Sequence, residues 1–430
     1  MWFGILSADK AYAAYDILLL GDSWINGRDR LAMPLAQYFE MNGGLAGAGY
    51  CGLVGTTGTA EPVMVYFYGN SGWQVRDKVA DAIGVDVTDL TGTAVGQELN
   101  FLLKSDVDEI EFYYRAQPGG GSFAAYHGSE LLVTVNTESD ESVNEVHRLD
   151  WSSRSSRTMI KLVVTDPGVS GVRIAGLNFR ANTGAVRVHE MGTGGMTAGC
   201  FVSVDRSAWV DSIRQLRPEL LCILLGTNDH ANNVSPASFK SNIEELVERV
   251  LAARPHAEIL LLSPGENGLQ GRAYKMTDYR DQLAEIAVER EIGFVDLHAQ
   301  LGDYADANAE GLYKDSVHPN AAGGLLIRDA VVSMLDVRKS GDIDLIKLWD
   351  TDEFLENMDL SCEVGTGAVS LHWRQLPGVS YTLKESVNLE TWTPVVLPEA
   401  RGNIEQSTVI DRSEAHFWKF EASYPLLWSQ

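Results

Sequence analysis

Tyr15-Asp16-Ile17-Leu18-Leu19-Leu20-Gly21-Asp22-Ser23 is the stretch on which the fold turns. Ile17 to Leu20 offer no polar face, so a strand built from them must be covered on both sides, as strands of parallel sheets are. Gly21 closes the apolar run, a polar loop follows, and a helical pattern at 31–41 completes a strand-loop-helix opening. The same alternation resumes far downstream, with helices expected at 209–216, 239–253, 279–290 and 321–335. Strands at 220–225, 258–262 and 293–297 fall between them. Such alternation predicts a parallel sheet with helices on both faces.

The intervening residues differ in character. Short strands are expected at 98–103, 108–115, 122–126, 131–135, 159–164, 171–179 and 185–189, separated by Gly, Asp, Ser and Pro clusters. No amphipathic helix interrupts them, which indicates a β-sandwich or jelly roll. The expected organisation is a discontinuous α/β domain over 1–59 and 191–340, with a β insert at 60–190. After an acidic stretch at 342–359, further strands at 369–374, 380–385, 391–396 and 417–421 make 341–430 a small accessory β-sandwich.

Composition narrows the function. The 430 residues carry 34 basic and 59 acidic side chains, a net charge of −25, with no Lys/Arg run, so a phosphate backbone is repelled and nucleic acid is not an expected partner. No apolar run approaches the roughly 20 residues of a membrane-spanning helix. Cys51, Cys200, Cys222 and Cys362 form no C-x-x-C pair, which speaks against a zinc site or a dense disulfide framework. Cys222, within an aliphatic run, reads as a buried thiol. Ala11-Tyr12-Ala13 mimics a signal-peptidase site, but Asp9 and Lys10 interrupt the apolar segment before it and no basic region precedes it, so an export signal is not clearly present.

Four segments carry chemistry. Ser23 follows the first buried strand, at the carboxyl end where open α/β sheets place their sites. Asp315-Ser316-Val317-His318-Pro319 lets the Asp315 carboxylate fold back onto Nδ1 of His318 and leaves Nε2 free to meet a serine, with Asn320 capping the next helix. Gly226-Thr227-Asn228-Asp229 puts an uncharged amide donor after the strand at 220–225, suited to a developing oxyanion. Gly192-Thr193-Gly194-Gly195-Met196-Thr197 supplies backbone N–H groups with no side chain in the way. Each segment alone is also an ordinary turn. His127, His147, His189, His230 and His298 lack a carboxylate at fixed spacing and are read as structural or surface residues.

Together and in this order the segments resemble the SGNH or GDSL hydrolase superfamily, whose blocks run Gly-Asp-Ser, a glycine, Gly-x-Asn-Asp and Asp-x-x-His. The resemblance implies a flavodoxin-like three-layer α/β/α hydrolase domain, here with an inserted jelly-roll-like β-sandwich and a small C-terminal β-sandwich. It also implies a serine esterase with Ser23 as nucleophile, His318 as base and Asp315 as orienter. The oxyanion hole is then the Ser23 N–H, the Gly195 N–H and the Asn228 side chain, and neither metal nor organic cofactor is required. Gly195 is chosen because Gly195-Met196-Thr197 fits the family's Gly-x-Thr; Gly192 and Gly194 are the alternatives.

A closer resemblance lies in Gly43-Gly44-Leu45-Ala46-Gly47-Ala48-Gly49-Tyr50, Tyr113-Tyr114 and Gln117-Pro118-Gly119-Gly120-Gly121-Ser122-Phe123. These are similar to bacterial peptidoglycan and polysaccharide O-acetylesterases with a carbohydrate-module-like sandwich between the serine and glycine blocks, although Trp24 stands where many of them carry His. Tyr381 to Ser386, Asn388-Leu389 and Thr391-Trp392 look like accessory domains of secreted polysaccharide-active proteins. The implied activity is removal of O-acetyl groups from a carbohydrate polymer, with an acetylated polysaccharide or glycan as partner and a secreted or periplasmic address. Alternatives are a lipase, thioesterase or arylesterase of the same superfamily, or an inactive carbohydrate-binding surface protein. Trp73, Tyr113 and Trp151 either stack on sugars or fill the core. Nothing in the sequence sets an oligomeric state.

Overall fold

The computed structural model describes residues 14–26, 30–42, 44–54, 65–68, 72–103, 107–154, 158–337, 343–345, 360–364, 368–375, 380–386, 391–397, 405–411 and 417–423. The Ala11-Tyr12-Ala13 segment and most of the acidic stretch at 342–359 lie outside them. The chain forms two compact units, Met1–Ile259 and Leu260–Gln430.

The first unit opens with β1 (Tyr15–Gly21), α1 (Ala32–Met41), β2 (Gly49–Gly52), β3 (Val65–Tyr68), β4 (Gln74–Asp77) and β5 (Thr88–Gly92). Then come β6 (Glu98–Leu103), β7 (Glu109–Ala116), β8 (Ser122–His127), β9 (Glu130–Asn136), β10 (Val143–Asp150), β11 (Thr158–Asp166), β12 (Val172–Arg180) and β13 (Val186–Gly192). It ends with α2 (Ala198–Ser203), α3 (Arg206–Leu216), β14 (Leu220–Leu224), α4 (Thr227–Ala231) and α5 (Pro236–Ala253).

The strand read first is flanked on both sides. β1 pairs in parallel with β13, from Tyr15↔Val186 to Gly21↔Gly192, and with β14, from Ile17↔Leu220 to Gly21↔Leu224. Ile17, Leu18, Leu19 and Leu20 have no exposed surface, as such a position demands. The strand at 185–189, grouped from the sequence with the insert, is therefore the neighbour of β1. Beyond it the sheet continues through β2, β12, β7 and β10, with β5 and β4 alongside β12. β12 runs antiparallel to β2, β5 and β7, so parallel strands give way to antiparallel ones within one sheet. A second sheet, ordered β3-β6-β11-β8-β9, packs on the antiparallel part. Phe101 meets Phe179 at 5.8 Å between ring centroids, and Phe123 meets Phe112 at 6.1 Å and Tyr114 at 5.9 Å, which makes this region a β-sandwich. Trp73, Tyr113 and Trp151 are only 6%, 3% and 0% exposed. They fill the core, so the sugar-stacking reading of these three is withdrawn.

A charged cluster locks β1 to β13. Asp16 accepts from Arg187 Nη1 at 2.5 Å and from His189 Nε2 at 3.1 Å, with all three side chains buried. The Tyr50 N–H donates to Nδ1 of His189 at 3.0 Å, so Nε2 carries the ring proton and His189 is neutral. Burial holds the His189 pKa below its usual value despite the pull of Asp16. Removing Asp16 strands a buried guanidinium: Asp16→Ala is expected to destabilise the protein by roughly 3–5 kcal/mol. Chemical denaturation of both proteins checks this, and a loss below 1 kcal/mol would make the cluster dispensable.

Helices are set by caps and apolar stripes. Ser235 accepts from the Ser238 N–H ahead of α5, Pro236 occupies its first turn, and Phe239, Ile243, Leu246, Val247 and Val250 form its buried face. Arg249, on the same helix, donates to the carbonyls of Phe201, Val202 and Val204 and so fixes the carboxyl end of α2.

The second unit takes up β15 (Glu258–Leu262), whose Leu260 to Leu262 pair in parallel with β16 (Gly293–Val295) across the connecting α6 (Met276–Arg290). α7 (Leu297–Leu301), α8 (Tyr304–Ala309), α9 (Ala321–Ser333), β17 (Leu335–Val337) and β18 (Ile343–Leu345) follow. The strand expected over 293–297 ends early because Asp296 accepts from the Ala299 N–H and starts α7. The remaining strands are β19 (Ser361–Val364), β20 (Ala368–Arg374), β21 (Ser380–Ser386), β22 (Thr393–Val395), β23 (Glu405–Asp411) and β24 (Phe417–Ser423). They form two three-stranded sheets, β19-β20-β23 and β22-β21-β24, around Leu371, Leu383, Val395, Leu397 and Phe420. Among the described residues no helix is long and apolar enough to cross a membrane.

Candidate active site

Three of the four sequence blocks lie at the carboxyl ends of adjacent strands in the first unit. Gly21 of β1 aligns with Gly192 of β13 on one side and Leu224 of β14 on the other. Ser23 therefore follows the central strand, the glycine block follows β13, and Asn228 sits in α4 just past β14. The close approach explains Gly21: a Cβ there would lie 2.3 Å from the Leu224 carbonyl oxygen. Past Gly21 the chain coils at once, the Asp22 carbonyl accepting from the Ile25 and Asn26 N–H groups at 3.0 and 3.1 Å. Arg30 donates to the Ser23 carbonyl.

The glycine block is a defined turn. The Thr193 N–H donates to the Gly21 carbonyl at 3.1 Å, and the Met196 N–H returns to the Thr193 carbonyl at 3.2 Å. With φ +81° at Gly195, the third of the four residues, this is a type II turn, which requires glycine there. Gly194 and Gly195 are both exposed, and a Cβ on either would meet nothing within 4 Å. Gly192 differs: a Cβ would lie 2.5 Å from the Asn26 backbone nitrogen, so its glycine is needed for packing against the serine turn. α2 follows, its Ala198 N–H donating to the Asp229 carboxylate at 3.2 and 3.3 Å.

Asn228 is held by two acceptors. Its Nδ2 donates to Asp22 Oδ2 and to the Met196 carbonyl, each at 2.9 Å. The other Asp22 oxygen accepts from the Trp24 N–H at 2.8 Å. Asp22 thus joins the serine turn to the amide, a role that the sequence reading did not assign although the residue stands inside the first block. Burial pushes the Asp22 carboxyl up to about 7 against the Trp24 bond, with Asp229 adding to the rise. Burial likewise lifts Asp229 to about 6.

Two more carboxyls lie close by, that of buried Asp86 and that of half-buried Glu190. Burial raises Asp86 to about 7 and Glu190 to about 8, the latter helped by the Asp86 charge. Each of these four carboxyls keeps its proton to higher pH in the folded chain than in the unfolded one. The native state then binds more protons than the unfolded state from about pH 4 to about pH 8, and their contribution to stability falls as pH rises through that window. Glu190→Gln, which removes one titration, is expected to raise Tm relative to wild type by more at pH 8.5 than at pH 5. An equal change at both values, measured by calorimetry, would show that Glu190 titrates normally.

In the second unit the Asp315 carboxylate accepts from Nδ1 of His318 at 2.9 and 3.1 Å and from the Val317 and His318 N–H groups at 2.8 and 2.9 Å. Burial opposes the Asp315 charge, but the His318 and backbone bonds outweigh it and bring the carboxyl down to about 2. Asp315 is therefore ionised and fixes the His318 ring through Nδ1. The loop is braced by the Gly268 N–H on the Ser316 carbonyl at 2.7 Å, and Asn320 caps α9 as expected. His298 also has a carboxylate, Glu266, 3.1 Å from Nε2, a pairing that sequence spacing did not reveal because 32 residues separate them. Among the described residues no group of His, Cys, Asp or Glu is arranged to hold a metal ion.

Residues 166–324 match the GDSL-like Lipase/Acylhydrolase family, a span that includes the glycine, Asn228 and Asp315–His318 blocks and excludes Ser23. A peptidoglycan O-acetylesterase structure aligns over 75% of this chain and 92% of its own, with TM-score 0.60 and 17% identity. The chain thus has the SGNH hydrolase fold, and its residues 166–324 resemble the GDSL-like lipase/acylhydrolase family. Also similar are an acetylxylan esterase from Geobacillus stearothermophilus (22% identity, 34% of this chain, 69% of that one, TM-score 0.28) and a family two carbohydrate esterase from Clostridium thermocellum (14%, 60%, 95%, 0.24). TM-scores this low bear no weight for the present fold. No curated protein matches the sequence.

Proposed function

We propose that the protein is a serine esterase that removes O-acetyl groups from a carbohydrate polymer outside the cytoplasm. The observation that supports the reading is the register of β13, β1 and β14, by which the glycine turn, Ser23 and Asn228 follow the carboxyl ends of three adjacent strands. Ser23 Oγ attacks the acetyl carbonyl while His318 Nε2 takes its proton, Asp315 holding the ring through Nδ1. The Ser23 and Gly195 N–H groups and the Asn228 amide receive the oxyanion. His318 returns the proton to the departing sugar hydroxyl, and a water activated by the same ring hydrolyses the acetyl-serine. The polymer assignment is supported by the peptidoglycan O-acetylesterase likeness, which extends over most of both chains.

Acetate release from acetylated xylan, peptidoglycan, sialic acid and algal polysaccharides, with p-nitrophenyl esters of increasing chain length alongside, tests the substrate class. Release from at least one glycan and a preference for acetyl over longer esters are expected. Turnover confined to long acyl chains would favour a lipase.

A further inference from the structure

A residue of the β insert reaches the glycine turn. We infer that Lys78 is a positioning residue for the Gly195 N–H, an inference that rests on the esterase reading above. Lys78 follows β4, and its Nζ donates to the Gly194 carbonyl at 3.2 Å. Gly194 C=O and Gly195 N–H are the two ends of one trans peptide plane and point in opposite directions. A donor that pins the carbonyl therefore aims the N–H away from itself.

This peptide is the one that needs pinning. Type I and type II turns differ by rotation of the plane between their second and third residues, here Gly194 and Gly195. With glycine at both positions and open space around both, either orientation is sterically accessible. A flipped plane would present a carbonyl oxygen, which repels an oxyanion, where the N–H should be. The Lys78 ammonium favours the type II state with φ +81° at Gly195.

The insert holds Lys78 for this purpose at a backbone cost. Lys78 and Val87 both adopt left-handed φ, +57° and +59°, which is unusual for a lysine and more so for a β-branched valine. The Lys78 N–H donates to the Val87 carbonyl at 3.1 Å, and Asp77 Oδ2 lies 2.5 Å from Nζ and orients the ammonium. The same connection between β4 and β5 reaches the turn a second time, the Thr193 hydroxyl donating to the Asp86 carbonyl at 2.9 Å. Lys78 is 114 residues upstream of the glycine block, inside a segment that sequence patterning assigns to a separate sandwich. Its role follows only from the fold.

Lys78→Met is expected to lower kcat on p-nitrophenyl acetate about 5- to 10-fold with KM within twofold of wild type, and Lys78→Arg, which keeps a donor, to recover most of the loss. Lys78→Gly relieves the left-handed backbone while removing the ammonium, so it should show the same kcat defect without a lower Tm. Hydrogen exchange of the peptide covering 192–197 supplies a readout independent of turnover: faster exchange is expected in Lys78→Met and Lys78→Gly. Wild-type kcat in both variants with unchanged exchange would overturn the inference. Faster exchange in a protein whose Ser23→Ala variant keeps full esterase activity would instead preserve the structural coupling and defeat the esterase assignment.

Discussion

Ser23→Ala and His318→Ala are each expected to reduce kcat on an acetyl ester by about three or more orders of magnitude while leaving the fold intact. On the proposed mechanism the first removes the atom that forms the acyl-enzyme, the second the base that makes it nucleophilic. Asp315→Ala should cost less than either, because His318 keeps its base even when misdirected. The loss should nonetheless be measurable, since Asp315 supplies the acceptor for Nδ1 and, through the Val317 and His318 N–H groups, the shape of the loop. With its carboxyl brought down to about 2, Asp315 stays ionised across the working pH range, so an acidic limb in kcat/KM above pH 4 should vanish in no Asp315 variant. Steady-state kinetics on proteins with matched circular dichroism checks all three. A Ser23→Ala enzyme retaining more than a tenth of wild-type turnover would remove Ser23 from the mechanism.

Asn228→Ala is expected to lower kcat about 100-fold and leave KM nearly unchanged. In the structure both hydrogens of the amide are engaged, one by Asp22 and one by the Met196 carbonyl. Asp22 is the fixed partner, since its second oxygen is itself held by the Trp24 N–H. Met196 offers only a neutral carbonyl, which on the proposed mechanism an oxyanion outcompetes as the tetrahedral intermediate forms. The gain thus appears in the transition state and not on binding, which is why kcat carries it. A rise in KM alone would make Asn228 a ground-state binding residue. Asp22→Asn, replacing a carboxylate acceptor by an amide of the same shape, should reproduce part of the kcat loss. An unaltered kcat there would mean that Asp22 does not orient Asn228.

The blocks around Ser23, Gly195, Asn228 and His318 were legible in the sequence because each is short and local. Turn residues sit at fixed offsets from an apolar strand or a capped helix, and three residues of spacing suffice to bring Asp315 onto His318. Most strands and the longer helices were legible for the same reason, since a buried strand or an amphipathic face is written into neighbouring residues. The apolar run at 17–20 by itself determined that β1 is covered on both sides. The short elements β2, β3, β4, β5, β17, β18, β19, α2, α4, α7 and α8 carry no such periodicity and escaped the reading, and so did the longer β10 and β23.

Which strand lies beside β1 was decided only by the tertiary structure. Residues 185–189 look like one more insert strand, because alternating Arg187 and His189 imitate a half-exposed face. Their polarity is absorbed instead by Asp16, 171 and 173 residues away, so charge pairing across the β1–β13 register buries what composition would leave in water. The buried aromatics of the insert, the Asp22–Asn228 bond and the reach of Lys78 to Gly194 have the same origin. Each depends on contacts between residues remote in sequence, and hydrophobic period and turn chemistry are silent about pairings that chain connectivity does not fix.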